Sequence, residues 1–145
     1  MNFRLFSHRH KLYTNSPFWP SNQRTWSEWT LTPDGQILEI IFDGTVGYDP
    51  EPVGCQYHDK RNFSIEPFTG FFDCQNKKIY LGDIVKLQCF NLDYEIVWHV
   101  DRFGMKPLYQ TIDSDNTTPH HIRGQKDFSV DWLVVNTKHN VEYCD

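Results

Sequence analysis

No stretch of the chain runs to about 18 apolar residues, so no membrane-spanning helix is expected. Long windows with apolar residues at i, i+3, i+4 and i+7 are missing too, which argues against amphipathic helices. Glycine-rich phosphate loops, Ser–His–Asp signatures and zinc-protease spacings are absent, and with them the commonest enzyme signatures. There is no internal repeat and no low-complexity tract. Cysteine is scarce: Cys55, Cys74, Cys89 and Cys144 lie far apart. The opening MNFRLFSHRHK lacks the apolar segment and cleavage signature of a secretory leader. Reduced thiols in a cytoplasmic protein are therefore the expectation. Positive charge is also short, with 14 Lys and Arg against 19 Asp and Glu and a net charge of −5. That argues against broad binding to a phosphate backbone. The one basic cluster, His8-Arg9-His10-Lys11, reads as a solvated hairpin tip.

Aromatics are plentiful. Eleven Phe, seven Tyr and five Trp in 145 residues exclude a disordered tail and suffice for one core. Strand-like runs recur about every ten residues with turn residues between them, the pattern of a mainly β protein with little helix. Asn2 to Phe6 is the first strand, turned by Ser7 to Lys11 into Leu12-Tyr13. Asn15 to Asn22 is a proline-containing loop, with a helical turn capped near Ser21. The clearest hairpin is TWSEWTLTPDGQILEIIF, Thr25 to Phe42, because Pro33, Asp34 and Gly35 each suit a tight turn. Its geometry sets Trp29 opposite Glu39 and Glu28 opposite Ile40, which puts the two carboxylates on opposite faces. Asp49-Pro50-Glu51-Pro52-Val53-Gly54 reads as a linker, because residues before proline are forced into extended conformations. It divides an N-terminal hairpin-rich segment, 1–54, from a C-terminal segment, 55–145.

The stretch FTGFFDCQNKKIYLGDIVKLQ, 68–88, is heavily punctuated. Turns are expected at Thr69-Gly70, Asp73 to Lys77 and Gly82-Asp83, with the Asp83 carboxylate tying down turn amides. Further strands are expected at Ile84 to Phe90, Tyr94 to Val100, Lys106 to Ile112 and Asp127 to Val135, with 113–125 as a polar surface loop. In the last strand Phe128, Val130, Trp132 and Val134 share one face.

Candidate chemistry is thin. Cys55 and His58 have C-x-x-H spacing, and His120 with His121 would have to complete a zinc site; ordinary thiols and surface histidines are the plainer reading, and no metal or other cofactor is expected. His99, His120 and His121 with Asp101, Asp113 and Asp115 would suit a hydrolytic or metal site, but a polar loop dense in Asp and His is usually solvated. No catalytic residue is assigned and no enzyme activity is expected. Lys77 and Lys78, with Arg9 and Lys11, would make a basic patch only if the fold unites them. Phe18, Trp19 and Trp98 are the candidate exposed anchors.

IEPFTGFFDCQNKKIYLGDIVK resembles the signature of the YopX family of phage and prophage proteins. Phe68-Thr69-Gly70-Phe71, the Asp73 to Lys78 loop and Ile79-Tyr80-Leu81-Gly82-Asp83-Ile84-Val85-Lys86 carry the likeness. Ile96-Val97-Trp98-His99 with Phe103, Trp132 to Asn136, and Phe3 to Phe6 with Lys11-Leu12-Tyr13 are weaker echoes. Val135 stands where the family has glycine, and Leu5-Phe6 replaces alanine-tryptophan. The resemblance implies a C-terminal SH3-like barrel and a phage or prophage accessory role, and brings no catalytic or binding residues. The expected function is a non-catalytic module that binds a host or phage protein, as small barrels do by adding a strand, or that associates with itself into a homo-oligomer. A small barrel that binds nucleic acid is the alternative, disfavoured by the acidic balance.

Overall fold

The computed structural model describes residues 2–20, 25–44, 51–108, 118–128, 131–141 and 143. Among these there are twelve strands, three short 3-10 turns and no α-helix, so the mainly β expectation is met. The chain forms two compact units. The larger comprises Met1–Arg4 and Ile65–Asp145, and the smaller is Leu5–Ser64. The division at 64/65 falls ten residues after the one expected at 54/55. The reason is β5, Glu51–His58, which pairs along β4 and so belongs with the N-terminal hairpin. The linker reading of Glu51 to Gly54 is corrected accordingly, while Asp49 and Pro50 lie outside the described residues. Pro52 is tolerated because β5 is an edge strand and the register shifts beside it, between Ile41 and Phe42.

In the smaller unit, β1 (Phe3–Ser7, from Leu5 onward) pairs antiparallel with β2 (Leu12–Tyr13). β3 (Thr25–Leu31), β4 (Ile37–Asp43) and β5 form a three-stranded sheet in the order β3-β4-β5. The turn between β3 and β4 is closed by Gly35 N–H donating to the Thr32 carbonyl at 2.9 Å, with Gly35 at φ +81°. The expected register holds: Trp29 faces Glu39 and Glu28 faces Ile40. Trp29 and Ile37 are buried on one face of this sheet, and Leu5, Phe6 and Tyr13 are buried in β1 and β2. Ser21, the expected helix cap, lies outside the described residues.

In the larger unit, β6 (Phe63–Phe72, from Ile65 onward) pairs with β7 (Lys78–Tyr80). A five-stranded antiparallel sheet follows, in the order β11-β10-β9-β8-β12. Its strands are β8 (Asp83–Leu87), β9 (Leu92–His99), β10 (Arg102–Pro107), β11 (His120–His121) and β12 (Trp132–Thr137). Ile79, Val85, Ile96, Ile122 and Phe128 make the buried core, with Phe71, Phe103 and Trp132 packed on it.

Three local expectations are corrected. Thr69-Gly70 is not a turn: β6 runs through it, and the register with β7 shifts between Phe68 and Phe72. Gly70 takes φ +87°, and the Thr69 hydroxyl donates to the Ile79 carbonyl at 2.7 Å, which holds the irregularity in place. Asp127 to Val135 is not one strand. Gln125–Phe128 is a 3-10 turn and β12 starts at Trp132, though Phe128 is buried and Trp132 and Val134 do pack on the same core. Finally, β10 begins at Arg102 rather than Lys106, because Val100 and Asp101 alone make the turn.

Candidate functional sites

The Asp73 and Gly82-Asp83 turns form as expected. The Asp73 carboxylate accepts from the amides of Gln75, Lys77 and Val134 at 2.9, 2.8 and 3.0 Å. One short side chain therefore fixes its own turn and the strand beside it. Asp83 Oδ2 accepts the Tyr80 amide at 2.7 Å, the turn-capping role expected of it. Gly82 has φ +87° and its backbone is pinned by Gly82 N–H to the Ile96 carbonyl and by Lys138 N–H to its own carbonyl. A side chain there would meet Glu66 Oε1 at 3.1 Å.

Behind this corner lies a buried charge cluster that sequence reasoning missed. Arg4 on β1 is 2% exposed, and Glu66 on β6 and Asp83 on β8 are fully buried. Arg4 Nε donates to Glu66 Oε2 at 2.6 Å, and Arg4 Nη1 stands 2.7 Å from Asp83 Oδ1. The guanidinium rests against the rings of Tyr80 and Tyr143, 4.8 and 5.0 Å from their centroids. His139 Nε2 lies 2.8 Å from Glu66 Oε1, and the Lys138 ammonium 4.0 Å from the same oxygen. Desolvation pushes the Asp83 carboxyl up to about 6 despite the pull of Arg4. A cavity of about 270 Å³ adjoins the cluster, lined by Arg4, Lys77, Asp83, Asn136, Thr137 and Tyr143. The chemistry on view is mutual neutralisation of buried charge. The only signal in the sequence was an arginine set among apolar residues in FRLF.

The sequence candidates are scattered by contrast. Cys55 and His58 sit three residues apart on β5, so they point to opposite faces. Cys55 is exposed beside Ile40, while His58 bonds Glu39 Oε1 at 2.9 Å and packs on Trp29. They do not form a ligand pair. His99 and His121 do meet: they flank β10 at Arg102 and Gly104, and His99 Nδ1 lies 2.9 Å from His121 Nε2. Asp101 is bonded to Arg102, which holds its carboxyl below the usual range, and Asp113 and Asp115 lie outside the described residues. Among the described residues no group of three or more His, Cys, Asp or Glu is placed to hold a metal ion. Arg9 and Lys11 belong to the β1–β2 turn of the smaller unit. Lys77 and Lys78 belong to the larger unit, where the Lys78 ammonium sits 5.5 Å from the Phe68 ring centroid. Of the candidate anchors, Phe18 is 80% and Trp98 57% exposed, whereas Trp19 packs edge-on against Trp29.

The face of the β3-β4-β5 sheet opposite Trp29 was not foreseen as a surface. Alternation places Trp26, Leu38, Ile40, Phe42 and Tyr57 together on it. Trp26 stacks on Phe42 at 4.4 Å, yet remains 41% exposed, and Tyr57 is 61% exposed. One-sided antiparallel sheets normally turn polar residues to water. The pattern was legible in TWSEWTL and ILEIIF, where apolar residues occupy both faces of β4.

No family model and no curated protein matches the chain. Among solved structures it is similar to the crystal structure of protein EF1440 from Enterococcus faecalis, with 15% sequence identity over 96% of this chain and 93% of that one and a TM-score of 0.54. At that identity the likeness establishes a shared fold.

Proposed function

We propose that the protein is a non-catalytic protein-interaction module that binds through the apolar face of its β3-β4-β5 sheet. The observation that carries this reading is the row Trp26, Phe42, Ile40, Leu38 and Tyr57 on a face that leaves Trp26 and Tyr57 open to water. An apolar patch rimmed by polar groups is the usual mark of a binding surface, and Trp and Tyr are its usual anchors. Glu28, opposite Ile40, is the acidic residue on this face. The partner surface that fits is therefore apolar with a Lys or Arg at its rim. The YopX-like signature at 65–86 supports a cytoplasmic role among phage or prophage accessory proteins, with an SH3-like arrangement in the C-terminal segment.

The test is affinity capture of the tagged protein from host lysate, with and without nuclease, comparing wild type with a Trp26→Thr/Tyr57→Thr variant. A partner that survives nuclease and is lost with the variant is expected. Recovery that depends on nucleic acid, or that the variant leaves intact, overturns the reading.

A further inference from the structure

β5 is the least covered strand of the smaller unit. Every residue from Glu51 to Tyr57 is exposed, on both faces, whereas a covered strand alternates. Among the described residues β4 is its only neighbour, so its other edge presents an unpaired row of amides and carbonyls. The other edge strand of the sheet, β3, buries Trp29. Natural edges are usually blunted by Lys, by proline or by a bulge. On β5 the proline and the register shift both fall at its start, at Pro52. Val53-Gly54-Cys55-Gln56-Tyr57-His58 has no proline and no Asp, Glu, Lys or Arg.

That segment is also self-complementary. If two copies run antiparallel about a two-fold axis at Cys55, Val53 meets Tyr57 of the second copy, Gly54 meets Gln56, and Cys55 meets Cys55. Residues directly opposite in an antiparallel pair share a face, so the apolar faces of both sheets become continuous. No carboxylate enters the seam over 53–57. At its end Glu51 opposes Asp59, whose charge is already taken by Arg61 at 2.7 Å. This matters for a chain of net charge −5, since carboxylates facing each other at the seam would hold two copies apart.

We propose that β5 is a homodimerisation edge, at which a second copy of the chain adds its own β5 antiparallel, with Cys55 on the two-fold axis. The contact is isologous, so it closes at two copies. It is small, and therefore weak and concentration-dependent. It goes beyond the face-binding proposal and stands without it, because it uses the edge of the sheet.

Sedimentation equilibrium from micromolar protein up to about 500 µM tests it, a range suited to a small transient interface. The mass is expected to rise from 17.3 kDa toward twice that value, and Cys55→Lys, which sets like charges opposite each other, is expected to hold it at 17.3 kDa with an unchanged circular dichroism spectrum. A second readout does not depend on the fold of that variant. With Cys74, Cys89 and Cys144 changed to Ser, mild oxidation is expected to cross-link Cys55 to Cys55, since opposed Cα atoms about 4.5–5.5 Å apart suit a disulfide. Wild-type mass fixed at 17.3 kDa throughout, equal dimerisation by Cys55→Lys, or no cross-link at concentrations where the mass has doubled would each overturn the proposal.

Discussion

Arg4 ties β1 to β6 and β8 through buried charge. It is buried, and it offsets two buried carboxylates on two different strands. Removing one partner of a buried ion pair leaves a bare charge, typically costing about 3–5 kcal/mol. Arg4→Met is therefore expected to lower stability by about 3 kcal/mol or more at pH 7, read by urea unfolding. Asp83→Asn should cost far less, within about 1 kcal/mol, because the Asn oxygen still accepts the Tyr80 amide and Arg4 keeps Glu66. The pH dependence has a definite sign. The Asp83 pKa is raised from 3.8 to about 6, so the folded state binds this proton more tightly than the unfolded chain. Its contribution is fully present below pH 3.8 and is lost as pH rises through about 6. The stability gap between wild type and Asp83→Asn should shift by a few kcal/mol, roughly 3, across that window, to the disadvantage of wild type as pH rises. A gap that stays constant from pH 4 to 7 would contradict the assignment. Beyond the arginine in FRLF and the turn cap at Asp83, the cluster was not legible in the sequence, because Arg4 and Glu66 are 62 residues apart and no local pattern joins them.

At the scale of elements, turns decide the outcome. The β3–β4 hairpin was legible to the residue, since Pro33, Asp34 and Gly35 admit one kind of turn and the strand period does the rest. Thr69-Gly70 misled because a glycine at positive φ serves a turn and a strand irregularity equally. The β9–β10 turn was expected over 101–105 and falls instead at Val100 and Asp101, because Val100 gives no turn signal. It nevertheless takes φ +63°, a conformation β-branched residues rarely adopt. Val100→Gly is therefore expected to stabilise the protein by about 1 kcal/mol, since left-handed backbone costs an L-residue about that much. A thermal midpoint that fails to rise would refute this. Asp73→Ala is expected to cost about 2–4 kcal/mol, because three amide donors lose their acceptor. Loss of protection at the Val134 amide in hydrogen exchange is the specific sign; an unchanged Val134 would contradict the role.

For the whole molecule, what sequence reasoning reached was the β class, the hairpin and two of the three turns expected in 68–88, those at Asp73 and Gly82-Asp83. The placement of surfaces was out of its reach. Phe18 and Trp98 lie exposed as candidate anchors should, but Trp19 packs on Trp29, and although apolar residues on both faces of β4 hint at a second face, the place of Tyr57 on it follows only from the register of β5. The proposed function rests on a surface and not on the fold. The most direct measurement is nuclease-treated capture from host lysate by wild type and by Trp26→Thr/Tyr57→Thr, side by side and read by mass spectrometry. One partner held by wild type and at least tenfold depleted with the variant is the predicted result. Equal recovery by both proteins would contradict the claim that this face is where the protein binds.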